Sequence, residues 1–414
     1  MMLRSRLAFW VIASSVAAAT AAAQEASEPP AREETPQAPG QATPSQPEPS
    51  AEQIELARLI QRVRDQLNMP AIGAAVVQAD GSVTTAVIGV RQLGMPEVVR
   101  LEDPWHLGSC GKAMTATMIA MLVEEGVIGW ETTIAEALPS MAALMHESYR
   151  NVTLEQLLTG RGGVPASFPA KLWDDLMAFR GSAMEGRELL ARGILSQPPE
   201  VAPGTAYIYS NPSWVIAGLM AEHAAKRPFE TLMRQKLFDP LGMKTAGFGA
   251  PGNGGPLPTE ARGHTSERIP VEPGPRADNP PALAPAGTVH CSMEDWAKFI
   301  ALQLRGVAGT DETLSRESWA KLLNPPEPPP VQDAAMGWVI KAREWAGGVA
   351  MTHDGSNTMW HSVAWMAPRK GFAVLVATNI GGSQYGLGIN QAAWDIIQRH
   401  LQKTEGREPT PSGR

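Results

Sequence analysis

From Ser109 to Glu125 the chain is dense in apolar residues, and the head of that run carries a serine and a lysine three positions apart. This feature limits the fold more than any other. A helix that is apolar on nearly all sides has to be buried, so this one belongs inside the core. Residues i and i+3 share a helix face, so Ser109 and Lys112 can touch. Burial lowers the pKa of such a lysine. The Ser109 N–H falls in a first helical turn, where the dipole favours developing negative charge. A serine hydroxyl is a weak nucleophile until a base takes its proton, and a desolvated lysine can be that base. The segment reads as the nucleophile and base of an acyl-enzyme serine hydrolase. The bland alternative is an N-cap serine followed by a solvated lysine. Two fixed positions in four recur often by chance, so the rest of the chain has to decide.

The pattern around this helix predicts an α+β fold. Ala51 to Leu67 has apolar residues at helical spacing, namely Leu56, Leu59, Ile60, Val63 and Leu67. Residues 71–77 and 83–90 are strand-like, joined by the hairpin signal Asp80-Gly81. Residues 130–240 are mostly helical, with loops at 160–169 and 197–204. Residues 249–288 are dense in Gly and Pro and read as an ordered loop excursion, over the surface or near the cleft. Strands follow at 336–340, 349–353, 361–366 and 372–378, and a closing helix at 389–401. Strands at both ends with helices between imply one sheet built from the two chain ends, flanked by helices, with an inserted, mostly helical lobe.

Two further elements follow the Ser-x-x-Lys in order. One is Tyr209-Ser210-Asn211, a Tyr-x-Asn after Pro203-Gly204. The other is His353-Asp354-Gly355-Ser356, a basic residue-x-Gly ahead of an apolar run. Together the three resemble the serine β-lactamase and penicillin-binding superfamily, in its class C β-lactamase-related branch. The resemblance runs from about Glu52 to Leu401 and includes Leu237-Phe238-Asp239-Pro240-Leu241-Gly242-Met243 and Pro285-Ala286-Gly287-Thr288. It implies a β-lactamase/transpeptidase-like α/β sandwich with the site between sheet and helical lobe.

The resemblance also implies roles. Ser109 is the nucleophile, and Lys112 and Tyr209 are the proton-transfer groups, with the choice of base left open. Asn211 bonds Lys112 and the acyl side of the substrate. The backbone N–H groups of Ser109 and Ser356 form the oxyanion hole, with Gly355 beside them. His353 supports Tyr209 or meets a substrate charge. Apart from the resemblance, Trp360 follows the third motif closely and is read either as core, the default for a tryptophan, or as the wall of an apolar acyl pocket that binds substrate. No cofactor is expected, and no metal, since neither His-Glu-x-x-His nor Cys-x-x-Cys spacing occurs.

Asp354 departs from the family pattern, in which Thr, Ser or Gly is usual. A carboxylate in the cleft would oppose the carboxylate of a β-lactam or D-Ala terminus by ~1 kcal/mol or more. Arg161 could neutralise it if its loop reaches the cleft. The expected substrate is therefore a small molecule or peptide carrying an ester or amide. Esterase-like action comes first and D-amino-acid peptidase or amidase action next. The alternatives are a β-lactamase, or a non-catalytic relative that binds peptidoglycan or a partner.

The ends read differently. Arg4 and Arg6 precede an apolar stretch too short to span a bilayer comfortably, and Ala21-Ala22-Ala23 offers a cleavage site. Residues 1–23 are expected to be an export signal, giving a periplasmic or secreted protein without a stable membrane span. Residues 24–51 and 404–414 are Pro/Glu-rich or polar and read as disordered, which leaves 52–403 as the hydrolase domain. A net charge of −7 with no basic block argues against nucleic acid. Cys110 and Cys291 are expected to be two buried thiols.

Overall fold

The computed structural model describes residues 48–324 and 334–406. Residues 1–23, expected above to be an export signal, residues 24–47 of the linker and the last eight residues lie outside the described residues. Its strands are β1 (Ala71–Gln78), β2 (Val83–Gly89), β3 (Trp105–His106), β4 (Gly247–Phe248), β5 (Val289–Cys291), β6 (Ala334–Ala335), β7 (Trp338–Arg343), β8 (Gly348–Ser356), β9 (His361–Ala367) and β10 (Phe372–Thr378). Seven of them form one antiparallel sheet in the order β2-β1-β10-β9-β8-β7-β6. The first two strands thus complete a sheet whose other strands come from the C-terminal third. β3, β5 and β4 form a small separate sheet.

Side-chain alternation gives the large sheet two buried faces. Phe372, Val374 and Val376 of β10 share a core with Leu56, Ile60, Ile389 and Ile396. Ala373, Leu375 and Ala377 belong to the larger core with Met114, Met118 and Trp296. The first face is covered by α1 (Ala51–Leu67) and by the last helix. The second is covered by the helix Met293–Ala308, with α2 (Gly111–Glu124) in the same core. β10 is buried along its whole length, because it lies near the middle of the sheet with helices on both sides.

Local chemistry sets the limits of these elements. Ser50 and Gln53 form a capping box at the start of α1, and Asn68 ends it in the left-handed conformation. The β1–β2 hairpin turns at Gly81, and Asp80 Oδ1 accepts the Ser82 N–H at 2.8 Å. α2 is buried from Gly111 to Leu122, as its apolar density requires. Two boundaries move. Ser50 and Ala51 belong to the cap and first turn of α1, not to the linker, because the capping box fixes that turn. The last helix runs from Ser383 to Glu405, so Thr404 and Glu405 belong to it; Lys370 pairs with Glu405 there.

The helical lobe packs α3 (Ala183–Leu195) against α4 (Asn211–Ala225). Arg187 of α3 is fully buried and grips Glu222 of α4 through two bonds, 2.8 and 2.6 Å, and Glu230 through two more at 3.0 Å. Glu222 also accepts the Phe229 N–H at 2.7 Å. Removing one partner of such a buried pair leaves the other charge without compensation. Arg187→Met is therefore expected to lower stability by about 3–5 kcal/mol in denaturant titrations. A loss below about 1 kcal/mol would show that the pair is not holding the lobe together.

Candidate active site

Ser109 lies in a short 3-10 turn, Gly108–Cys110, that leads directly into α2. Lys112, one turn on, is fully buried. Its Nζ donates to Ser109 Oγ at 2.9 Å, Asn211 Oδ1 at 2.8 Å and the Ala286 carbonyl at 2.6 Å. Three N–H groups thus meet three acceptors. Desolvation, opposed by the nearby Cys110, lowers the Lys112 pKa to about 7. When the amine is uncharged it keeps two N–H groups. Asn211 Oδ1 and the Ala286 carbonyl can only accept, so they take both. The lone pair is left facing the Ser109 hydroxyl.

Tyr209 and Asn211 flank Ser210, the N-cap of α4. Ser210 Oγ accepts the Ser213 N–H at 3.1 Å and donates to the Pro165 carbonyl at 2.7 Å. That cap pins the loop-to-helix junction and aims residues 209 and 211 at the same lysine. Lys112 Nζ is 5.0 Å from the centre of the Tyr209 ring. Tyr209 opens on the cleft, with 41% of its surface exposed. Desolvation still holds its pKa above the ordinary phenol value, a rise moderated by a bond from Ser109.

His353 is the buried end of the third motif. Its Nδ1 lies 2.7 Å from the Gly337 carbonyl, which can only accept, so the ring proton sits on Nδ1. Nε2 is left to accept from Tyr209 Oη at 3.4 Å. Desolvation first, and the charge of Lys112 second, lower the His353 pKa to about 4. The ring is neutral at physiological pH. It holds the phenol and offers no positive charge to a substrate.

Glycine permits the close approach between the nucleophile turn and β8. A Cβ on Gly355 would overlap the Leu107 carbonyl oxygen and Ser362 Oγ. Gly108, with φ +50°, would drive a Cβ into the Ser356 backbone nitrogen. Ser362 Oγ donates to Leu107 O at 2.7 Å and Cys110 Sγ donates to His353 O at 3.3 Å, stitching the turn to the sheet. The backbones of Ser109 and Ser356 are thereby brought side by side. Cys110 and Cys291 are free and buried, as expected. Burial pushes the Cys110 thiol up to about 12.

Two expectations need correction. Asp354 does not face the cleft. Adjacent strand residues point to opposite faces, and His353 takes the cleft side. Asp354 Oδ1 instead accepts from Asn390 Nδ2, on the last helix, at 2.7 Å. Arg161 donates to the Gly204 carbonyl at 3.0 Å. Trp360 is 1% exposed. It stacks edge-on against Trp105 with centroids 6.2 Å apart, which makes it core and not an open acyl-pocket wall. The Ala286 and Gly337 carbonyls escape a reading of the sequence, since backbone acceptors leave no side-chain signature. Pro285-Ala286-Gly287 is visible there only as a family landmark.

The family model described as Beta-lactamase matches residues 56–398. The chain is 26% identical over 338 residues to Penicillin-binding protein 4 of Amycolatopsis lactamdurans, covering 77% of this chain and 83% of that one. It is 25% identical over 338 residues to Unguisins hydrolase ungD' of Aspergillus campestris (strain IBT 28561), covering 78% of this chain. It spans only 61% of that fungal protein's length. A solved β-lactamase/D-alanine carboxypeptidase from Pseudomonas syringae matches with a TM-score of 0.65 at 18% identity, covering 83% of this chain and 98% of that one. At that identity the likeness establishes the fold, which is the β-lactamase/transpeptidase one.

The Lys112 environment sets a stability test. An unfolded lysine titrates near its ordinary value of 10.5, the folded one near 7. Between those values the unfolded chain binds more protons, so this group makes stability rise with pH from about 7 to 10.5. Lys112→Met should flatten that rise in denaturant titrations and be more stable at pH 7. An unchanged slope would mean that the buried amine is not the depressed group. Asp354→Asn should leave ester turnover within about threefold of the parent; a larger change would return Asp354 to the cleft.

Proposed function

The chain belongs to the β-lactamase family and is a hydrolase, and on that premise we propose that it cleaves small, uncharged esters or amides through an acyl-enzyme on Ser109. The observation that carries this reading is the Lys112 arrangement, in which two acceptor-only partners turn the amine lone pair onto Ser109 Oγ 2.9 Å away. Lys112 takes the hydroxyl proton as Oγ attacks the acyl carbon. The substrate carbonyl oxygen becomes an oxyanion facing the backbone N–H groups of Ser109 and Ser356. Tyr209, bonded to Ser109 and to His353, gives its proton to the departing group and takes back the one held by Lys112, which restores both groups for the second half. Water then repeats the attack on the acyl-enzyme in the same site and releases the acid.

Lys112 is the better base of the two candidates. Its pKa lies near the working pH, whereas that of Tyr209 is raised above an already high phenol value. Substrate preference follows from His353. Where a relative presents a basic side chain to a substrate carboxylate, this chain presents a neutral ring committed to Tyr209 and Gly337. Asp354 is held by Asn390 on the opposite face of β8. A second reading, action on D-amino-acid amides, is favoured by relatives described as a penicillin-binding protein and a D-alanine carboxypeptidase. A β-lactamase is compatible with the same machinery. We also propose export, on the strength of residues 1–23 alone; N-terminal sequencing of the mature protein should begin near Gln24.

Two measurements test the catalytic reading. A fluorophosphonate should form one adduct, mapped to Ser109 by mass spectrometry and lost in Ser109→Ala. No adduct on a well-folded sample would favour the non-catalytic relative. Turnover of a p-nitrophenyl ester should rise with pH through an apparent pKa of about 7, as Lys112 loses its proton. A profile flat from pH 5 to 9 would exclude Lys112 as the base. Comparing that ester with a D-Ala-D-Ala peptide and a penicillin then ranks the substrates, and a dominant penicillin rate would put β-lactamase action first.

A further inference from the structure

His106, the last residue of β3, is 1% exposed and precedes the nucleophile turn. Its Nδ1 accepts the Gly108 N–H at 3.1 Å. That nitrogen must present a lone pair, so the ring proton lies on Nε2. Nε2 donates to Asp278 Oδ2 at 2.8 Å. Asp278 comes from the Gly- and Pro-rich excursion and is itself buried. Its other oxygen accepts from Asn357 Nδ2 at 3.0 Å and from the Asn279 N–H at 2.7 Å. Asn357, also buried, follows Ser356 directly, and its Oδ1 accepts the Met359 N–H at 3.1 Å.

One buried carboxylate therefore joins the strand that leads into the Ser109 turn to the residue after Ser356. We infer that His106, Asp278 and Asn357 are positioning residues that fix the spacing of the two oxyanion donors, the backbone N–H groups of Ser109 and Ser356. This rests on the acyl-enzyme mechanism proposed for Ser109. Oxyanion donors act only when both aim at the place where the oxygen will be. The segments that carry them meet at Gly108 and Gly355, which have no side chains to lock them. The network supplies what those glycines lack. Among the described residues, its hydrogen bonds run to backbone groups and to one another, and none reaches Ser109 Oγ, Lys112 or Tyr209. Its effect is therefore on geometry and not on proton transfer.

Asp278→Asn is the first variant, because it keeps the volume but places an amide against several donors. Reactive sites are counted by fluorophosphonate labelling, so rates refer to sites that are folded. The kcat for a p-nitrophenyl ester should fall roughly ten- to a hundredfold, with KM within about twofold. Affinity for a boronic acid, which forms a tetrahedral adduct on serine, should fall in the same proportion. A merely structural role would lower the number of reactive sites and leave kcat per site and boronate affinity unchanged, and that result overturns the inference. If Asp278→Asn does not fold, Asn357→Ala cuts the same link from the other side and is judged by the same two readouts. Retained hydrolysis in Ser109→Ala would instead remove the acyl-enzyme mechanism, and the inference with it.

Discussion

The site depends on one buried amine. Lys112 has no access to water, so its three polar contacts must come from the protein: Ser109 on the adjoining turn, and Asn211 and Ala286 from distant parts of the chain. A charged lysine in that place is costly. The cost lowers its pKa to about 7, which in the proposed mechanism makes it a base. α2 has to be buried on all sides to carry Lys112 there. It lies between the sheet and the helical lobe, with its first turn opening on the cleft. The order of the fold follows from that need.

The second motif and the third are placed by different means. Tyr209 and Asn211 are aimed by a helix cap, a local device that Ser210 supplies within three residues. His353 and Ser356 are aimed by sheet register and by close backbone approach. β8 can lie against the nucleophile turn because Gly355 and Gly108 leave the space. His353 is there bonded to Tyr209 and to the Gly337 carbonyl. The shared requirement is that polar groups at the site be satisfied in a fixed orientation before substrate arrives, which is what electrostatic preorganisation demands.

Much of this is legible in the residues. The Ser109–Lys112 pair, the strands at both ends, the hairpin at Asp80-Gly81 and the two free thiols all follow from spacing and composition. Strand β10 is legible to the residue, since Phe372–Thr378 is an apolar run bounded by turns. The failures share a cause. Asp354 reads as a cleft residue because it sits inside a motif, but strand alternation turns it to Asn390 on the other face. Trp360 reads as a pocket wall because it follows the motif, but Trp105 covers it. Closeness in sequence does not say which way a side chain points.

The sequence by itself determined the chemistry available. It pointed to Ser109 and Lys112 as a nucleophile and base pair and to the helix that must be buried, because residue type and short-range periodicity carry that information; the role read for Tyr209 came through the family resemblance. Only the tertiary structure decided how those groups act. The lysine has acceptor-only partners because Asn211 and Ala286, 99 and 174 positions away, close over it. The neutral tautomer of His353 is set by the Gly337 carbonyl, 16 positions earlier. A backbone carbonyl has no identity in a sequence, and its position is fixed only when the elements that carry it have packed.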